Sequence, residues 1–234
     1  MGILWMASYP RSGNTLARMA LYQAYGVESR SLYHDKALDK EGLQGLGLFL
    51  DLESPRTRVH RLRREEQIYP VKTHVCLDNV KGTLPLPEEP AIYIHRDGRD
   101  VLLSHAYFIQ AHHNKRREVQ DILYALVHGI RKSSRPWNDS VMSWANRPRT
   151  AYVSYKELVK DPIGSIRRCV EELGLDWEEQ EQGSMPTFEQ LHTAAPTFFR
   201  EGKHGQGKKE MPRRLRKAFW ILHKEGMEHY GYPH

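Results

Sequence analysis

Residues 2–8, Gly2-Ile3-Leu4-Trp5-Met6-Ala7-Ser8, form an almost unbroken apolar run, and the turn residues Tyr9-Pro10-Arg11-Ser12-Gly13 follow at once. A short apolar run bounded by turn residues predicts a buried strand. Beyond the turn, Leu16, Met19, Ala20 and Ala24 share one helical face, which predicts a helix over Asn14–Tyr25. Further short strands are predicted over residues 68–75, 91–95 and 151–155, each bounded by Pro, Gly or charged positions. Helical periodicity fills the intervals: 98–111, 119–131, 138–145 and about 212–230. Asp161-Pro162 predicts an N-cap with proline in the first turn, and Gly174 a stop after Leu173.

Strands alternating with helices predict an α/β fold: one domain over residues 1–234, with a central, mainly parallel sheet flanked by helices. The ligand crevice of such a sheet lies outside the carboxyl ends of its strands. Length supports one sizeable core, and no apolar stretch is long enough to cross a membrane. The first residues lack the basic leader and long apolar region of a signal peptide. Cys76 and Cys169 are the two cysteines, too far apart in sequence for metal-ligand spacing or a disulfide framework, so a cytoplasmic setting is expected.

Charge narrows the partner only to an anion. Lys and Arg number 35 against 29 Asp and Glu, a net charge of +6. Part of the excess lies in residues 56–64 and 200–216, and such runs are commonly solvated faces. A nucleotide, a nucleic acid and an acidic membrane all remain open on charge alone.

The segment Ser8-Tyr9-Pro10-Arg11-Ser12-Gly13-Asn14-Thr15 stands between strand and helix, where backbone N–H groups and the positive helix end gather around an anion. Arg11, Ser12, Asn14 and Thr15 add side-chain donors. The loop has no Lys after Gly13 and no first Gly, so the Walker arrangement for a nucleoside triphosphate and magnesium is not encoded. This segment resembles the 5'-phosphosulfate loop of the PAPS-dependent sulfotransferases, commonly Y-P-K-S-G-T-T, with Arg11 in the place of the usual Lys. The block Ile92-Tyr93-Ile94-His95-Arg96-Asp97-Gly98-Arg99-Asp100-Val101-Leu102-Leu103-Ser104 resembles the family's 3'-phosphate motif.

The resemblance implies a P-loop-like nucleotide-binding fold that takes 3'-phosphoadenosine 5'-phosphosulfate (PAPS) as donor and releases 3',5'-diphosphoadenosine, without a metal. It assigns the 5' end to residues 11–15 (Arg11, Ser12, Gly13, Asn14, Thr15) and the 3'-phosphate to Arg96 and Ser104. Lys72-Thr73-His74 is similar to the family's K-T-H segment, which makes His74 the base, with Arg11 and Lys72 at the developing charge. Tyr155 matches the tyrosine that contacts adenine. Leu16 stands where many members carry Trp, so adenine stacking is expected from elsewhere. Residues 199–208 look like the family's R-K-G-x-x-G lid, with Arg200, Gly202 and Gly205 matching and Glu201 where Lys is usual. The resemblance is weak between residues 26 and 67, which are expected to line the acceptor pocket.

The implied reaction moves a sulfuryl group to a hydroxyl or amine of a small acceptor, with no nucleic-acid partner. Two rivals stand beside it: a P-loop-type kinase of small molecules, which needs the missing Lys and a magnesium carboxylate, and a non-catalytic basic nucleotide- or RNA-binding module. The sequence identifies neither the acceptor nor the oligomeric state.

Overall fold

The computed structural model describes residues 2–33, 55–77, 86–113, 115–130, 135–180, 182–200, 202 and 205–234. Much of the expected acceptor-pocket segment, 34–54, and Glu201 lie outside these residues.

Five parallel strands form one sheet in the order β2-β3-β1-β4-β5: β1 Ile3–Ser8, β2 Arg30–Ser31, β3 Tyr69–Thr73, β4 Ala91–His95 and β5 Thr150–Ser154. The chain leaves central β1 for β2 and β3 on one side and then crosses to β4 and β5 on the other. Every residue of β1 is buried, as a strand covered on both faces requires. Its side chains alternate: Ile3, Trp5 and Ala7 enter one core, Leu4 and Met6 the other.

The first core takes α2 Pro55–Leu62, α3 Gly98–His112, α4 Val119–Val127, α5 Trp137–Met142 and α10 Arg213–His229. The second takes α1 Asn14–Tyr25, α6 Tyr155–Lys160 and α7 Pro162–Glu172. Two short helices, α8 Phe188–Ala194 and α9 Gln206–Glu210, lie near the carboxyl end of the sheet. The described helices include none long and apolar enough to span a membrane.

Several boundaries move from the sequence expectation for local reasons. The strand expected over 68–75 stops at Thr73, where the Thr73 hydroxyl accepts the Val75 N–H at 3.2 Å and turns the chain. The strand expected to end at 155 ends at Ser154, because Ser154 and Glu157 form a capping box that starts α6 at Tyr155. The helix expected to reach 131 ends at Val127, ahead of Gly129 at φ 63°. Asp161 caps α7 as expected, accepting the Gly164 N–H at 2.9 Å.

Candidate active site

Four neighbouring strands end level with one another, Ala7 beside Thr73, Ser8 beside Ile94 and His95 beside Ser154. Each delivers a candidate residue just past its end: the 9–13 loop after β1, His74 after β3, Arg96 after β4 and Tyr155 after β5. Because the connections reverse direction at β1, this edge is the switch point where open parallel sheets bind ligands. A cavity of about 810 Å³ opens there, and Arg11, Lys72, His74, Arg96, Ser104 and Tyr155 line it. Gly13, Asn14, Thr15, Arg200 and Gly202 reach the same cavity, whereas Ser12 is buried behind the loop.

The loop is a strained turn. Ser12 donates its N–H to the Tyr9 carbonyl at 3.3 Å, and Arg11 and Gly13 both adopt left-handed backbone, at φ 71° and 108°. Asn14 anchors it: its Nδ2 donates to the Met6 carbonyl at 2.9 Å and the Ser8 hydroxyl at 3.3 Å. The amide nitrogen expected to serve a phosphate is thus turned toward β1.

The Arg11 guanidinium lies over the rings of both Phe108 and Phe198, 4.9 and 4.4 Å from their centroids. Its Nε donates to Ser104 Oγ at 3.4 Å and its Nη2 to the Phe198 carbonyl. Arg11 therefore stands beside Ser104, a residue expected at the other end of the donor. Arg96 rests on the Tyr155 ring at 4.1 Å and approaches Asp100 at 3.9 Å. Arg96 Nη1 donates to the Arg11 carbonyl at 3.4 Å, which links the two phosphate segments.

His74 has a defined tautomer. Its Nδ1 lies 2.7 Å from the Ser8 carbonyl oxygen, and because a carbonyl only accepts, Nδ1 carries the proton. In neutral imidazole the lone pair then sits on Nε2. The Tyr33 ring stacks on His74 at 5.5 Å, and its hydroxyl accepts the His74 backbone N–H at 3.0 Å. Lys72, buried in β3, also lines the cavity.

Three site features escape the sequence reading. Asp100, buried in the first turn of α3, accepts the N–H groups of Gly205 and Gly207 at 2.8 and 2.7 Å, tying the later part of the expected 199–208 lid to α3. Phe188, half-exposed at the start of α8, faces the cavity and packs against Gly202. Its position was signalled by the capping box of Thr187 and Gln190, legible as T-F-E-Q. Tyr33 carried no signal. Arg200 lies 4.1 Å over the Tyr107 ring.

A phosphate-type loop at the switch point of a five-stranded parallel sheet, with arginines from two strand ends and a histidine from a third, defines a P-loop-like nucleotide-binding α/β protein. The chain matches the sulfotransferase domain family over residues 3–231 and belongs to it. Cytosolic sulfotransferase 7 of Arabidopsis thaliana is 22% identical, over 95% of this chain and 78% of its own length. Flavonol 3-sulfotransferase of Flaveria bidentis is 19% identical, over 76% of this chain and 59% of its own. Among solved structures, retinol dehydratase with androsterone and the inactive cofactor PAP superposes with a TM-score of 0.69 at 19% identity, covering 97% of this chain and 81% of that one. A mouse sulfotransferase complexed with PAP gives 0.64 at 18% identity, covering 97% and 84%.

Proposed function

We propose that the protein transfers the sulfuryl group of PAPS to a hydroxyl or amine of a small acceptor, with His74 as the base. The observation that carries this reading is the convergence of four strand ends on one cavity lined by Arg11, Lys72, Arg96 and Arg200. Asp100 is the one carboxylate among the described lining residues, and its oxygens already receive the N–H groups of Gly205 and Gly207. Such a cavity suits a donor with phosphates at two positions, and the two superposed structures are complexes that contain PAP.

The 11–15 loop faces the 5' end of the donor through Arg11, Gly13 and Thr15, with Ser12 and Asn14 holding it from behind, while Arg96, Ser104 and Arg200 face the 3'-phosphate. The adenine lies by Tyr155, and Phe188, across the Gly202 backbone, offers the aromatic surface that Leu16 lacks. His74 Nε2 takes the acceptor proton as the acceptor oxygen or nitrogen bonds to sulfur. The bond from sulfur to the bridging oxygen breaks, and Lys72, with Arg11 swung from its aromatic slot, stabilises the charge left on the 5'-phosphate. The two cysteines are buried and free, which accords with a cytoplasmic setting, as do the names of the Arabidopsis relatives.

Thermal shift with 3',5'-diphosphoadenosine in the absence of magnesium tests the donor. Saturation at about a hundred times the dissociation constant stabilises the fold by about 2.7 kcal/mol. Stabilisation by ATP with magnesium alone would instead support the kinase. Screening acceptors with labelled PAPS then identifies the second substrate.

A further inference from the structure

The turn that carries Arg96 is held by a segment far away in sequence. His95, the last residue of β4, stacks on Tyr230 with ring centroids 4.4 Å apart. Its Nδ1 lies 2.8 Å from the Tyr232 hydroxyl. Burial pushes the His95 imidazole down to about 4 and raises the Tyr232 phenol. Both groups are therefore neutral, and the phenol and Nδ1 share one hydrogen bond whose direction follows the His95 tautomer.

On the other side of Arg96, Asp97 caps α3 by accepting the Arg99 N–H at 2.9 Å, and it pairs with the Arg99 guanidinium at 2.7 Å. The same buried guanidinium donates to the Pro233 carbonyl at 2.7 Å. Gly231, at φ 71°, reverses the chain after α10 so that Tyr232 and Pro233 return to β4 and α3. The Tyr232 N–H closes this reversal on the Met227 carbonyl at 2.8 Å. The Tyr232 phenol also feels the charges of Asp97 and Arg96, which places it within electrostatic reach of the turn.

We propose that residues 230–233 form a clasp that fixes the backbone of Arg96, and that Tyr232 is thereby a positioning residue for the 3'-phosphate end of the donor. The inference rests on the reading of Arg96 as a 3'-phosphate contact. The geometry explains the need for a clasp. The contacts of the Arg96 guanidinium with the Tyr155 ring at 4.1 Å, the Asp100 carboxylate at 3.9 Å and the Arg11 carbonyl at 3.4 Å are made by its side chain and do not set its backbone position. A forked contact to phosphate tolerates misplacement of only about half an ångström. Anchors at His95 and Arg99 bracket Arg96 and supply that precision.

Titration calorimetry of the intact protein with two probes, 3',5'-diphosphoadenosine and adenosine 5'-monophosphate, tests the clasp. The wild type is expected to favour the bisphosphate. Tyr232→Phe removes one hydroxyl and strands His95 Nδ1, and is expected to weaken the bisphosphate about fivefold, the scale of one hydrogen bond, while leaving the monophosphate unchanged. The KM for PAPS should rise with kcat nearly constant. Arg99→Lys, which cannot reach Asp97 and Pro233 together, should show the same selectivity, so the test survives poor folding of either variant. Equal weakening of both probes, or of neither, overturns the clasp. A wild type that binds the two probes equally overturns the underlying donor reading instead.

Discussion

Gly13 presents its bare Cα to the ring of Tyr155: a Cβ built at 13 would fall 2.6 Å from Tyr155 Cδ2. The same residue has φ 108°, a conformation that side chains rarely adopt. Gly13→Ala therefore meets a clash and a backbone penalty together. It is expected to cost about 2 kcal/mol or more, read as a lower urea midpoint, and to weaken 3',5'-diphosphoadenosine because Tyr155 must move. A loss below about 0.5 kcal/mol, the range of ordinary surface substitutions, would contradict this.

Asp100 joins α3 to the segment 205–207, and the union is tight, since a Cβ on Gly207 would fall 2.2 Å from the Arg99 carbonyl carbon. Asp100→Asn keeps one acceptor oxygen but sets an amide N–H against the second glycine N–H. The expected cost is about 1–3 kcal/mol. In hydrogen exchange the amides of Gly205 and Gly207 should lose protection before those of β1, and uniform loss across the sheet would rule out a local tie.

The β1-loop-α1 unit was legible because its signals are local: an apolar run, turn residues, then a helical stripe within 25 residues. Lys72, His74, Arg96 and Tyr155 were found through short blocks at strand ends, and the fold brings them to one cavity. What the sequence hid is relational. Tyr155 reads as the last residue of a strand until the Ser154–Glu157 capping box claims it for α6. The contacts of Asp100 to Gly205 and of His95 to Tyr232 span 105 and 137 residues, which no local pattern encodes. β2 is two residues long, too short for any periodicity. The orientation of Arg11 toward Ser104 depends on Phe108 and Phe198, from α3 and the segment before the lid.

Glu89 makes a pH prediction. It accepts Trp5 Nε1 at 2.8 Å, Arg63 Nε at 2.6 Å and the Leu86 N–H at 2.8 Å. Burial pushes its carboxyl upward, but these hydrogen bonds and the Arg63 charge outweigh burial and leave it below the ordinary value of 4.5. The unfolded chain therefore binds the proton more readily, so the stabilisation is complete above pH 4.5 and is lost as pH falls through the folded value. Glu89→Gln, which takes the carboxylate away from Arg63, should cost about 1–3 kcal/mol at pH 7. In urea titrations at several pH values the gap between variant and wild type should narrow below pH 4.5, and a constant gap would exclude the linkage.

His74 separates chemistry from binding. Its Nδ1–H is committed to the Ser8 carbonyl at 2.7 Å, a backbone acceptor at the end of β1 that no side-chain substitution removes, so the tautomer with a basic Nε2 is built into the sheet. His74→Ala deletes the proposed base while leaving Arg96, Ser104 and the 11–15 loop in place. Turnover is expected to fall about 10²- to 10⁴-fold, the usual range for a general base, with the affinity for 3',5'-diphosphoadenosine nearly unchanged. Tyr33 stacks on the imidazole and accepts its backbone N–H, so Tyr33→Ala should lower turnover by a smaller factor through loss of orientation. If His74→Ala turns over at the wild-type rate, the proton goes elsewhere; if it also loses the nucleotide, the residue serves the donor site and not the acceptor.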